Sequence, residues 1–166
     1  MSADVRISFR GFLAQTTTFG RATARFGQTG MPDELFRLTN GTGSGQCDTV
    51  FVKALSIAAT TTLQVDFKSG ETDLLGNAVN LQSVKLVAVV VTTASATLWV
   101  GPQNLTNACQ LWFGGVGSTD KAKVTDRFWN SDAGGWAVGG STKILGINNP
   151  GGSTVSGYLI CAGVAA

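Results

Sequence analysis

The chain contains no histidine. That absence excludes Ser-His-Asp and Cys-His nucleophilic catalysis, and it removes the ligand that most zinc sites share with cysteine. Cysteine is scarce as well, with only Cys47, Cys109 and Cys161, widely spaced and without a CxxC pair. An odd number at such spacing argues against a disulfide framework. It predicts reduced thiols in or near the core of a protein made in a reducing cytoplasm. Charged residues amount to 13% of the 166 positions, and the net charge is only +2, too little to argue for nucleic acid. Long apolar runs are missing too. The longest, Leu86 to Val91, is far too short to span a bilayer, and Met1 to Arg10 mixes charged and apolar residues where a secretory leader would carry a continuous apolar stretch.

What is present is β-branched residue and turn former. The hydrophobic share is 43%, with 22 glycines, and a chain of this length suits one domain. "DVRISFRGFL" sets Val5, Ile7 and Phe9 on one face and Arg6, Ser8 and Arg10 on the other, the period-two pattern of a half-buried strand. The same pattern runs through "DTVFVKALSI", "TTLQVDF", "SVKLVAVVVTT", "ATLWVG", "CQLWFGG", "AKVTD", "GWAVGG", "TKILGIN" and "STVSGYLICAG". Clusters of Gly, Asn, Asp, Ser and Thr separate them. Both faces of the last segment are apolar, which predicts a central strand. With no amphipathic helix to carry parallel crossovers, the expected fold is all-β: an antiparallel β-sandwich, jelly-roll-like, with an extended N-terminal arm. Residues 1–37 form the Arg-bearing arm or peripheral strand in this reading, and residues 38–166 the sandwich.

Each candidate for chemistry has a plainer structural reading beside it. "LTNGTGSGQCD" at residues 38–48 alternates glycine, but a strand pattern follows it where a phosphate cradle needs a helix start. Asn40 and Asn104 each open a glycosylation sequon, which has no use in a cytoplasmic product. A mobile loop between strands is the remaining expectation. Asp66 with Glu71, and Asp120 with Asp126, flank turns and are pairs that a glycosidase-like mechanism could in principle use; acids at turns serve mainly as caps. Trp99 and Trp112 lie inside apolar strands and are expected in the core. Trp129 and Trp136 lie beside turns, where a subunit interface favours tryptophan. Five of the arginines, Arg6, Arg10, Arg21, Arg25 and Arg37, precede residue 38, whereas Lys53, Lys68, Lys85, Lys121, Lys123 and Lys143 all follow it. An extended strand with that spacing suits bidentate contacts to carboxylates on a protein surface.

Several motifs also coincide in order. "LTNGTGSGQCDTVF", "ALSIAATTTLQVDF", "TDLLGNAVNLQSVKLVAV" and "DAGGWAVGGSTKILGINNPGGSTVSGYLICAG" resemble a family of small structural proteins of tailed bacteriophages. The likeness covers Leu35 to Gly163; "QLWFGGVGSTDKAKVTDRFWN" matches only loosely. It implies a non-enzymatic virion protein without cofactor or metal, one that binds the outer surface of the phage head and stabilises it as a decoration or cement protein. The implied partners are the phage major capsid protein and further copies of the chain, as a homo-oligomer (dimer or trimer), with no nucleic acid and no membrane. Arg6, Arg10, Arg21 and Arg25 would meet the capsid, and Trp129 and Trp136 the neighbouring subunit. A tail or fibre component touching glycans is the structural alternative, and a carbohydrate-active enzyme the chemical one.

Overall fold

The structure is a computed structural model and describes residues 5–7, 23–24, 37–103, 105–109, 111 and 120–166. Among these residues every regular element is a strand. The main body begins with β5 (Thr49–Ile57), β6 (Thr62–Asp66), β7 (Leu81–Val91) and β8 (Leu98–Gly101). It continues with β9 (Ala122–Val124), β10 (Arg127–Ala137), β11 (Ile144–Asn148) and β12 (Val155–Ala165). Ahead of them lie the short strands β1 (Val5–Ile7), β2 (Thr23–Ala24), β3 (Arg37–Asn40) and β4 (Gln46–Cys47).

Two four-stranded antiparallel sheets, ordered β10-β7-β12-β5 and β6-β11-β8-β9, make a sandwich-like body. One core joins them: Phe51, Leu55, Val84, Val87, Val89, Leu159 and Cys161 of the first sheet meet Val65, Leu98, Val100, Val124, Leu145 and Ile147 of the second. Successive side chains on a strand point to opposite faces, so β7 and β12 would each be half polar if only one face were covered. Their outer positions are instead apolar. Leu86, Ala88, Ile160 and Ala162 pack with Leu38 and Cys47 in a second, smaller cluster, because the sheet β2-β1-β3-β4 caps part of the outer face. This double burial explains the near-continuous apolar stretch in β7, and it places β12 centrally between β7 and β5, as its two apolar faces predict. The expected boundary at residues 37 and 38 falls inside β3, which pairs with β1.

Edges are blunted in a recognisable way. Lys53 shares the inward face of edge strand β5 with Phe51 and Leu55, and its Nζ donates to both carboxylate oxygens of Glu71 at 2.8 and 2.9 Å. An inward-pointing charge on an edge strand discourages a further strand from adding there. At one end of the sandwich the loops are tied by Asn149, which is fully buried. Its Nδ2 donates to the carbonyls of Ile57, Ala58 and Ser153, and its Oδ1 accepts from the Gly151 amide.

All three cysteines are free and buried. Burial raises the Cys47 thiol to about 11; Asp48 adds to the rise and Lys85 opposes it. Burial, with Cys109 and Cys47 nearby, holds Cys161 well above its ordinary value. A thiol-reactive aromatic disulfide at pH 8 is therefore expected to label the native protein negligibly and all three thiols after unfolding. The stability that comes from keeping Cys47 neutral is complete below pH 9, the thiol's ordinary value, and is lost as the pH rises towards 11. Denaturant melts across that range check the sign.

Candidate interaction faces

The outer face of the sheet β10-β7-β12-β5 is built in straight cross-strand rows. The register sets Trp129, Ala88, Ile160 and Val52 side by side, and beside them Arg127, Val90, Tyr158 and Ala54. Directly opposed residues share a face. Trp129, on edge strand β10, is 41% exposed, and Tyr158 and Val52, on β12 and β5, are 39% and 45% exposed; between Trp129 and Val52 in the first row, Ala88 and Ile160 are buried in the cluster with Leu38 and Cys47. Trp136 goes the other way. It pairs in register with Val84 and packs, half-buried, against the main core. The two tryptophans singled out as interface residues thus sit on opposite faces of one strand, Trp129 presenting outward and Trp136 anchoring β10 to the body.

β10 reaches this position through a bulge. Its register to β7 shifts between Ser131 and Trp136, and Asp132 Oδ1 closes the turn by accepting from the Gly134 and Gly135 amides at 2.7 and 2.9 Å. Gly135 has φ +82°, and a Cβ there would meet Lys85 Cδ at 2.8 Å. Lys85 is only 3% exposed, and its ammonium donates to the carbonyls of Ala133, at 3.0 Å, and Gly134. The Ala133 carbonyl also accepts from the Gly45 amide at 2.9 Å. The glycine-alternating segment expected as a mobile loop is therefore docked: it joins the parallel strands β3 and β4, Gln46 Oε1 accepts from the Gly43 amide, and its tip rests on the bulge.

Of the arginines assigned to partner contact, Arg6 occupies the middle of β1, opposite Thr23 on β2 and Arg37 on β3. Arg10, Arg21 and Arg25 lie outside the described residues.

The paired carboxylates are committed elsewhere. Asp66 accepts from Lys143 Nζ at 2.8 Å, from the Lys68 amide and from the Ser69 hydroxyl. Burial works to raise its carboxyl, but these hydrogen bonds and the Lys143 charge outweigh it and hold the group below the usual range. Glu71 is taken by Lys53. Asp126 lies 3.5 Å from Arg127 at the surface. Among the described residues no three His, Cys, Asp or Glu side chains gather as a metal site would need.

Two features escape the sequence reading. In "TDLLGN" the Asp73 carboxylate accepts from the Leu75 and Asn77 amides, which lifts Leu74 and Leu75 to the tip of a closed turn, Leu75 84% exposed. Two leucines held between a turn-closing Asp and a Gly-Asn pair are the signal for it. Trp99, expected in the core, is instead half-buried on the outer face of the second sheet, because Leu98 and Val100 take the inward positions. Lys121 Nζ stands 4.7 Å from its ring centroid.

No family model matches the chain, and no curated protein matches it. Among the described residues the exposed Trp129 and Tyr158 are of the aromatic type enriched in contact surfaces.

Proposed function

We propose that this protein is a virion structural protein, not an enzyme, that binds the outer capsid surface of a tailed-phage head and stabilises it as a decoration or cement protein. The observation that carries this reading is that Trp129, Tyr158 and Val52 stay exposed on the sheet face that Leu38 and Cys47 partly cover. In this reading the cap, with Arg6, Arg10, Arg21 and Arg25, reaches acidic positions of the major capsid protein, and Trp129 meets a neighbouring copy in a dimer or trimer. The strand order supports a jelly roll. Counted from β5, the sheets run sixth-third-eighth-first and second-seventh-fourth-fifth, so nearly every connection crosses between sheets, as two interleaved Greek keys require. The pairing of Asp66 with Lys143 and of Glu71 with Lys53 favours a structural role over a carboxylate-based hydrolase, whose two acids must face one substrate.

No chemistry is needed for such a role. A protein that binds only the expanded shell stabilises that state by mass action, and many copies on a lattice gain avidity. Added to expanded heads that lack it, the protein is expected to saturate the surface and delay rupture by heat or low salt. Trp129→Ala should weaken self-association roughly tenfold, the loss typical of a central aromatic anchor, as light scattering across a concentration series would show. Removing residues 1–30 should weaken head binding while leaving a folded β-protein, since the main core draws on no described residue before Phe51. Binding to host cells in place of heads would favour the tail or fibre reading.

A further inference from the structure

We infer that the outer face of the sheet β6-β11-β8-β9 binds an acidic saccharide, with the Trp99 ring and the Lys121 and Lys123 ammonium groups as its principal contacts. This face lies on the far side of the body from the cap and Trp129, so its occupation is independent of head binding.

The register draws the site. Thr62 of β6, Asn148 of β11, Trp99 of β8 and Lys123 of β9 stand in one row across all four strands. Three inter-strand spacings make that row about 14 Å long, the reach of a short oligosaccharide. Gln103, whose Nε2 donates to the Trp99 carbonyl at 2.9 Å, and Leu105 fold over Gly146 and wall one side. Lys121 comes in from the segment ahead of β9 and places its ammonium at the indole.

The groups in the row have spare capacity of the right kinds. Neither Lys121 nor Lys123 has a carboxylate within ion-pair distance among the described residues, whereas Asp66, at the far end of β6, is neutralised by Lys143. Asn148 uses its Nδ2 on the Thr61 carbonyl and the Thr62 hydroxyl, which leaves its amide oxygen as an acceptor and frees the Thr62 proton to be donated. The Trp99 indole lies under the Lys121 ammonium, and it offers a flat apolar surface to the C–H face of a sugar ring when that exposed lysine turns to the sugar's acid group. Amide and hydroxyl groups at the same height suit ring hydroxyls, and two ammonium groups at one end suit a carboxylate, sulfate or phosphate.

Other polyanions fit less well. Single-stranded nucleic acid is held by successive stacking aromatics along a basic groove, whereas this row holds a single indole in a chain of net charge +2. Protein interfaces are depleted of charge at their centre, whereas the lysines here flank the aromatic itself.

The test uses the full chain in solution and four probes: a galacturonate tetrasaccharide, its fully methyl-esterified counterpart, a heparin-derived tetrasaccharide and a short oligothymidylate. Titrations are followed by calorimetry and tryptophan fluorescence. At least one acidic saccharide is expected to bind at millimolar concentration or below, and the esterified sugar roughly tenfold more weakly or not at all. W99A and the double variant K121Q/K123Q should each lower the affinity by about tenfold or more, and W129A should leave it unchanged. The lysine variant changes only exposed side chains and keeps the test valid if W99A is poorly folded. Absence of binding by both acidic saccharides, undiminished binding by K121Q/K123Q, or tighter binding of the oligothymidylate than of either saccharide overturns the assignment.

Discussion

Replacing Asn149 with alanine is expected to cost about 3 kcal/mol of stability or more, the sum of several buried polar groups losing their partner at once. The side chain is fully buried and answers four backbone groups: the Ile57, Ala58 and Ser153 carbonyls and the Gly151 amide. Its own backbone N–H donates to the Thr61 carbonyl at 2.9 Å. One residue therefore joins the loop after β5 to the loop before β12. Asn149→Asp should be as damaging, because a carboxylate has no protons for three carbonyls and would be buried as a charge. Urea unfolding is the measurement, and the midpoint should fall with little change in slope. A loss under about 1 kcal/mol would mean that water replaces the amide, and that the loops are held by their own turns.

Gly157→Ala is expected to do more harm still, with a loss above about 4 kcal/mol or no folded protein at all. Gly157 is buried on β12 between Leu55 of β5 and Val91 of β7. A Cβ there would run into the backbone carbonyl of Val90. A flexible side chain could turn aside, but a carbonyl can retreat only if β7 and β12, the two inner strands of the sheet, come apart. Gly152→Ala is the control. Its Cβ would meet nothing, and its φ is not positive, so that variant should be within about 1 kcal/mol of the parent and no less stable. Circular dichroism and soluble yield report the difference directly.

Period-two alternation made most of the body legible in the sequence. "DTVFVKALSI" corresponds to β5, "SVKLVAVVVTT" to β7 and "STVSGYLICAG" to β12, because strands buried on one face or both leave a pattern that composition alone does not blur. β10 was less legible. Asp132, Gly134 and Gly135 read as the end of a segment, yet they form a bulge inside one strand from Arg127 to Ala137, held by Lys85 from a neighbouring strand 48 positions away in sequence. A contact of that range leaves no local trace. Trp99 shows a second limit: with Leu98 and Val100 on either side, alternation says only that the three do not share a face. Which face is inward was decided by the other sheet. For the same reason the shared face of Trp129, Tyr158 and Val52 was only partly visible, since they come from three strands and are set on one side of the sheet by register alone.

The crossing connections and the position of β12 also govern when this molecule can fold. Of the eight strands in the two sheets, the one that must lie between β7 and β5 is made last, and until it arrives both of those strands have an open edge and an uncovered apolar face. Pairings of such long sequence separation close slowly, and exposed strand edges invite association with other chains. Yield in the expressing cell should therefore follow translation rate and growth temperature more closely than it follows the stability of the finished body.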